Sequence, residues 1–373
     1  MKDVVISGTG LFTPDQSISN DDLVESFNAW VRKFNEENKD AIAAGKIEAE
    51  QESGSEFIVK ASGIQSRYVI DREGILDPNR MCPRIPERPN DEDSLQCEMG
   101  KIAGLEALER AGKKGADVDA VFVACSNMQR PYPAMAIELQ NALGCGGYAF
   151  DLNVACSSAT FGILTAANAV RTGTAKAALV ISPEICSGHL NFTRRDSHFI
   201  FGDACTAVLI EAADTCTSPN AFEILGTKAV TQYSNNIRNN FGFLNRCDES
   251  GIGKEDKLFV QNGRQVFREV CPMVAELIGG HLEELGLAPD AVKRFWLHQA
   301  NLGMNQLIAK KLLGKDAPED KTPVILDEYA NTSSAGSIIA FHKYQDDFAS
   351  GELGVICSFG AGYSIGSVVV RKK

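Results

Sequence analysis

The chain has 373 residues, 44% hydrophobic and 23% charged, with a net charge of −12. Such a chain can bury the core of one large or two ordinary domains, and its acidity argues against non-specific nucleic-acid binding. No apolar run approaches the roughly 18 residues a membrane helix needs, and eleven scattered cysteines without a CxxC pair give no support to zinc sites or a disulfide framework. Most cysteines lie in apolar surroundings and read as reduced core residues of a cytoplasmic protein.

Residues 3–8 read as a first strand, not a signal peptide, because Gly8 and Gly10 soon interrupt the apolar run. Asn20-Asp21-Asp22-Leu23 has the composition of a helix start. Residues 35–55 are rich in Glu, Lys and Ala without a large apolar face, which predicts a solvated helical insertion. Residues 71–95 carry Pro78, Pro83, Pro86 and Pro89 among charges, which predicts an irregular loop. A lid, a subunit contact and a plain surface excursion all fit that loop.

An internal repeat follows. Residues 94–127 predict a helix, a turn and the buried strand around Val121-Phe122-Val123. Residues 265–301 predict the same series, ending at Phe295-Trp296-Leu297-His298. Cys156-Ser157-Ser158-Ala159 has a counterpart in Asn331-Thr332-Ser333-Ser334-Ala335-Gly336. Each half closes on an FG turn and a β-rich run, at Phe201-Gly202 and at Phe359-Gly360. Two similar α/β halves are expected, 1–213 and 222–373.

Asp151 to Thr160 is the stretch with the most chemistry. An apolar run meets Cys156, and small residues then open a long apolar helix starting at Cys156 or Ser157. A helix N-terminus favours thiolate over thiol, so this position suits an ionised nucleophile. It equally suits a small core residue at a packed helix start. His298 ends a buried strand of the second half, and Asn331 precedes the second small-residue helix. Cysteine, histidine and carboxamide together can perform thioester chemistry, the thiol holding the acyl group and the two donors stabilising an enolate oxygen. Asn331 also suits a helix cap, and the two roles are compatible.

Val154-Ala155-Cys156-Ser157-Ser158, His298-Gln299-Ala300-Asn301, Asn331-Thr332-Ser333-Ser334-Ala335 and Phe359-Gly360-Ala361-Gly362-Tyr363-Ser364-Ile365-Gly366 occur in that order. With them the chain resembles the β-ketoacyl-acyl-carrier-protein synthase III family of thiolase-fold enzymes. The resemblance covers nearly the whole chain apart from insertions before residue 95. It implies a five-layered α/β/α/β/α duplication and a homodimer. It implies decarboxylative Claisen condensation in fatty acid biosynthesis, with coenzyme A thioester as substrate and no resident cofactor or metal. Acyl-CoA would acylate Cys156; malonyl-acyl-carrier protein would then lose CO₂ and attack the acyl thioester. His298 and Asn331 would act at decarboxylation, and the backbone N–H groups of Cys156 and Ala361 would form the oxyanion hole. Phe201 would belong to the apolar wall near the nucleophile, while Asn153 and Asp203 would support turns. The remaining histidines, 189, 198, 281 and 342, read as structural or exposed.

The chain departs from the family at the CoA entrance. Phe57 and Ala61 stand where the family has a tryptophan and an arginine, and Gly303 and Val260 replace two further cations. Arg195 keeps a matching basic position, and Arg264, Arg268, Lys310 and Lys311 offer either another basic patch or solvated helix faces. Tyr132 occupies the position from which a partner subunit lines the family's acyl pocket. The changed entrance and added length lead to an expected medium-chain primer. Competing readings are another thiolase-fold condensing enzyme and a non-catalytic partner subunit. A degradative thiolase fits less well, because Cys357 precedes the glycine loop where a second acid/base cysteine would stand.

Overall fold

A computed structural model describes residues 2–240, 247–254 and 257–373. The strands in chain order are β1 (Val4–Phe12), β2 (Gln16–Ser19), β3 (Ser66–Val69), β4 (Ala120–Ala124), β5 (Tyr148–Leu152), β6 (Ala177–Ile185), β7 (Asp203–Ala212), β8 (Phe222–Thr231), β9 (Ile237–Arg238), β10 (Val260–Gln261), β11 (Val292–Leu297), β12 (Leu353–Gly360) and β13 (Ser364–Lys372). Nine of them run in the order β11-β12-β13-β8-β1-β7-β6-β4-β5. The first half supplies β1, β7, β6, β4 and β5, and the second supplies β8, β13, β12 and β11. The halves join where β1 and β8 pair antiparallel at Val5 with Glu223 and Ile6 with Phe222. The expected pair of central sheets is thus hydrogen-bonded edge to edge along one short seam.

The layers follow from the period-two alternation of the strands. Phe122, Val180 and Val208 face a central core, while their neighbours Val121, Val123, Leu179 and Leu209 face an outer one. The outer core is completed by Cys97, Ala103 and Ala107 of the helix Leu95–Ala111. In the second half Trp296, Ile356 and Val368 face the centre, and Phe295, Leu297 and Val355 face Val270, Val274 and Ile278 of the helix Gly263–Glu284. Two helices fill the centre, Ser158–Arg171 and Gly336–Lys343. Ala159, Ile163, Ala166, Ala167, Ile338, Ile339 and Phe341 are their core residues. This is the five-layered α/β/α/β/α arrangement. Small side chains let the central helix approach both sheets: a Cβ at Gly366 would lie 2.3 Å from Thr160 Oγ1. Trp296 is fully buried; truncation to alanine would cost about 3–5 kcal/mol.

The first-half insertions depart partly from expectation. The helix that begins at Asn20 runs to Glu37, and a short one covers Lys39–Ala43. From residue 46 to 54 there is neither helix nor strand. No large apolar residue there has a core to enter, and Ile47 is exposed. Residues 71–95 form one short helix, Arg72–Leu76, and then an irregular path to Ser94, held by Met81 in a satellite core and by an Arg88–Glu98 ion pair.

Candidate active site

Cys156 sits in a tight turn after β5. Ala155 has φ of +47°, a left-handed conformation that costs an alanine roughly 1–3 kcal/mol and persists only where the surroundings enforce it. Asn153 enforces it from below: its Oδ1 accepts the Ala155 N–H at 2.8 Å. Its Nδ2 donates to the Ser126 carbonyl at 2.8 Å. From the other half, Ser364 Oγ lies 3.0 Å from Ser157 Oγ and donates to the Ala361 carbonyl at 2.9 Å. A Cβ on Gly360 would stand 2.6 Å from Cys156 Cβ and 2.9 Å from its Sγ, so only glycine lets the terminal loop come this close.

Asn331 occupies a matching turn. Ala330, immediately before it, has φ of +54°. The Asn331 N–H donates to the Ile200 carbonyl at 3.0 Å, and its own carbonyl accepts the Gly202 N–H at 3.1 Å, which clips the turn to the first half. Its Oδ1 accepts the Ser333 N–H at 2.9 Å. That bond caps the local turn and orients the amide with its N–H₂ end free for a ligand. His298 extends β11 by one residue, its N–H donating to the Cys357 carbonyl at 2.8 Å. The edge of its ring packs on Phe359, with centroids 5.2 Å apart. Ser333 Oγ donates to Cys156 Sγ at 3.5 Å.

Cys156, His298 and Asn331 line one cavity of about 480 Å³, largely walled by aromatic and aliphatic residues such as Phe199, Phe201, Phe259 and Phe267. A second cavity of about 280 Å³ also reaches Cys156, with Asn127, Asn153, Cys186, His189 and Ala361 in its wall. Phe201 and Phe259 stand between the two, ring centroids 4.7 Å apart, and line both. The sequence reads His189 as structural or exposed and gives Phe259 no motif, yet both stand in the wall of the second cavity. Of the other histidines, His198 stacks on Phe27, His281 bonds Ser367 and His342 bonds Thr9. Asp203 supports a turn, accepting from the N–H groups of Ser187 and Ile70.

Phe57 stands at the mouth, and Arg195, which lines neither cavity, lies over its ring, 4.5 Å from the centroid, with Nε donating to the Glu52 carbonyl. No base fits between them in this arrangement. Ala61 and Arg264 line the same mouth. Arg264 lines the cavity, and Arg268, Lys310 and Lys311 do not; Lys310 is paired with Asp316, and Arg268 donates to Gln265. Val260 lies in β10, and Gly303 sits in the first turn of the helix Leu302–Leu313. Tyr132 is 82% exposed and lines neither cavity of its own chain.

The electrostatics overturn one expectation. The helix begins at Ser158, two residues beyond the sulfur-bearing position, and the Ser157 and Ser158 N–H groups are spent on the Val154 and Ala155 carbonyls. Desolvation pushes the Cys156 thiol up to about 11, and the buried Glu184 adds to the rise. The Ser333 hydroxyl and the N–H groups of Ala361 and Cys156 face the sulfur and oppose that shift without cancelling it. Cys156 therefore rests as a thiol. Burial also holds His298 at about 4, hydrogen bonding with the Ser333 backbone opposing, so its imidazole is neutral.

A cysteine at the meeting point of two lobes, faced by an imidazole and a carboxamide from the opposite lobe, defines a thiolase-fold condensing enzyme. The profile described as 3-Oxoacyl-[acyl-carrier-protein (ACP)] synthase III matches residues 150–231, and its C-terminal counterpart matches residues 282–372. The chain is 65% identical to the β-ketodecanoyl-[acyl-carrier-protein] synthase of Pseudomonas aeruginosa, over 94% of this chain and 100% of that one. It is 30% identical to the β-ketoacyl-[acyl-carrier-protein] synthase III of Rhizobium meliloti, over 94% and 98%. Among solved structures, the 3-oxoacyl-[acyl-carrier-protein] synthase III of Aquifex aeolicus superposes with a TM-score of 0.77 at 24% identity, over 99% of each chain. The chain belongs to the β-ketoacyl-acyl-carrier-protein synthase III family and is an acyltransferase. No described helix is long and apolar enough to cross a membrane.

Proposed function

We propose that this enzyme condenses a medium-chain acyl-CoA, of about eight carbons, with malonyl-acyl-carrier protein in fatty acid biosynthesis, acting as a cytoplasmic homodimer. The observation that carries the reading is the convergence of two cavities on Cys156, with His298 and Asn331 in the wall of the larger. One can admit the thioester arm while the other holds the tail. The primer length draws on the 65%-identical relative, named for a ten-carbon β-keto product; decarboxylative condensation adds two carbons, which leaves eight for the primer. Tyr132 and the half-exposed Phe150 on edge strand β5 give a second copy an apolar face to cover.

The chemistry suits a neutral site. The Cys156 sulfur adds to the thioester carbonyl, the oxyanion meets the Cys156 and Ala361 N–H groups, and the thiol proton ends on the departing CoA. In the second half-reaction malonyl thioester loses CO₂, and the neutral donors of His298 and Asn331 hold the enolate oxygen as its carbon attacks the acyl group; the acyl–sulfur bond breaks, and the released Cys156 sulfur takes up a proton from water and returns to the thiol. An imidazolium would sit unpaired in this apolar wall, so neutrality is what burial favours. Turnover on acetyl-CoA and octanoyl-CoA with malonyl-acyl-carrier protein tests the primer. Octanoyl-CoA is expected to be preferred; a strong acetyl preference sinks the medium-chain assignment.

A further inference from the structure

Beneath the site lies a carboxylate that no motif announces. Glu184 is the penultimate residue of β6 and is fully buried. Four serine donors converge on it, the Ser126 N–H at 3.0 Å, Ser126 Oγ at 2.5 Å, the Ser334 N–H at 3.2 Å and Ser334 Oγ, and the Cys125 and Cys186 thiols lie 3.5 and 3.9 Å from its Oε2. Burial pushes the Glu184 carboxyl above its ordinary range, and the Ser126 and Ser334 donors oppose that rise by favouring the carboxylate. Burying such a charge is costly, and a structural filler of the same size needs no such network.

Each serine leads to one arm of the site. The Ser126 carbonyl accepts from Asn153, which holds the Ala155 N–H one residue before Cys156. Ser334 follows Ser333, whose N–H fixes the Asn331 amide and whose hydroxyl reaches the Cys156 sulfur. Ser126 comes from the first half and Ser334 from the second.

We propose that Glu184 is a positioning residue that locks the Cys156 and Asn331 turns into one register and sets a fixed negative charge beneath the thiol. The proposal rests on the condensing function above. The Glu184 charge adds to the desolvation that keeps the thiol neutral: an anion that aligns the two turns also disfavours a second negative charge beside it, in line with its upward effect on Cys156.

The test uses the full-length enzyme, with iodoacetamide alkylation of Cys156 followed across pH by peptide mass, beside steady-state condensation. In Glu184→Gln the alkylation midpoint moves to lower pH because the charge is gone, while condensation falls by about 10²-fold because the turns lose their common anchor. Glu184→Asp keeps the wild-type midpoint. A thiol alkylated at lower pH together with slower condensation supports the assignment. Unchanged condensation, or slower condensation with the midpoint unmoved or raised, overturns it. If Glu184→Gln does not fold, Ser334→Ala removes one donor and keeps the charge. Condensation should then fall with the alkylation midpoint in place, and unchanged condensation overturns the proposal. A wild-type enzyme that condenses no primer would refute the function instead, while the alkylation arm still judges Glu184.

Discussion

The two turns at residues 155–158 and 330–334 are built alike and do different work. Each places its key side chain directly after an alanine held at positive φ. Each is fastened to the opposite half, one by Ser364 and the other by the backbone of residues 200–202. The first presents a thiol at the junction of two cavities; the second presents a carboxamide whose oxygen is already occupied. In the proposed reaction the first turn carries the covalent step, and the second, with His298, holds the enolate oxygen.

The sharpest way to break that division is Cys156→Ala, which should abolish acylation while leaving unfolding unchanged. Intact-protein mass spectrometry with acyl-CoA checks it, and an acyl adduct on the variant would contradict the assignment. Next come His298→Ala and Asn331→Ala. Both should still form the acyl adduct, yet lose condensation by about 10²–10³-fold, the scale of a removed oxyanion donor. Loss of the adduct in either would erase the contrast between the lobes. Gly360→Ala tests the contact between them. The added Cβ meets backbone-anchored Cys156 atoms, so slower acylation is expected together with a lower unfolding midpoint, by the roughly 1–3 kcal/mol of an overpacked site.

The smallest effect is on stability against pH. Burial holds His298, His189 and His281 at about 4 and His198 at about 3, below the ordinary 6.5. The unfolded chain then binds more protons between about pH 6.5 and about pH 4, so stability falls as pH drops through that window. Asp203, pushed up to about 6 by burial, opposes this over part of the range. Thermal unfolding from neutral pH downward should show the net decline, and a flat profile would remove the neutral-histidine argument.

Much of this molecule is legible in one dimension. Strand cores such as Val121-Phe122-Val123 and Phe295-Trp296-Leu297 are continuous apolar runs because both faces are buried, and four motifs in order mark the site. Helical content was over-read after residue 43, where acidic and lysine residues suit a helix but have nothing to pack against. The resemblance puts Phe57 and Arg195 each at an entrance position, and only the structure stacks one on the other.

By itself, then, the sequence determined the duplicated α/β architecture and the three side chains that meet, because both depend on local pattern and residue type. Only tertiary structure decided the protonation of Cys156, the pairing of Glu184 with serines of both halves, and the two cavities that share Phe201 and Phe259. Desolvation and hydrogen bonding across more than a hundred residues of chain set those properties, and no local signal encodes them.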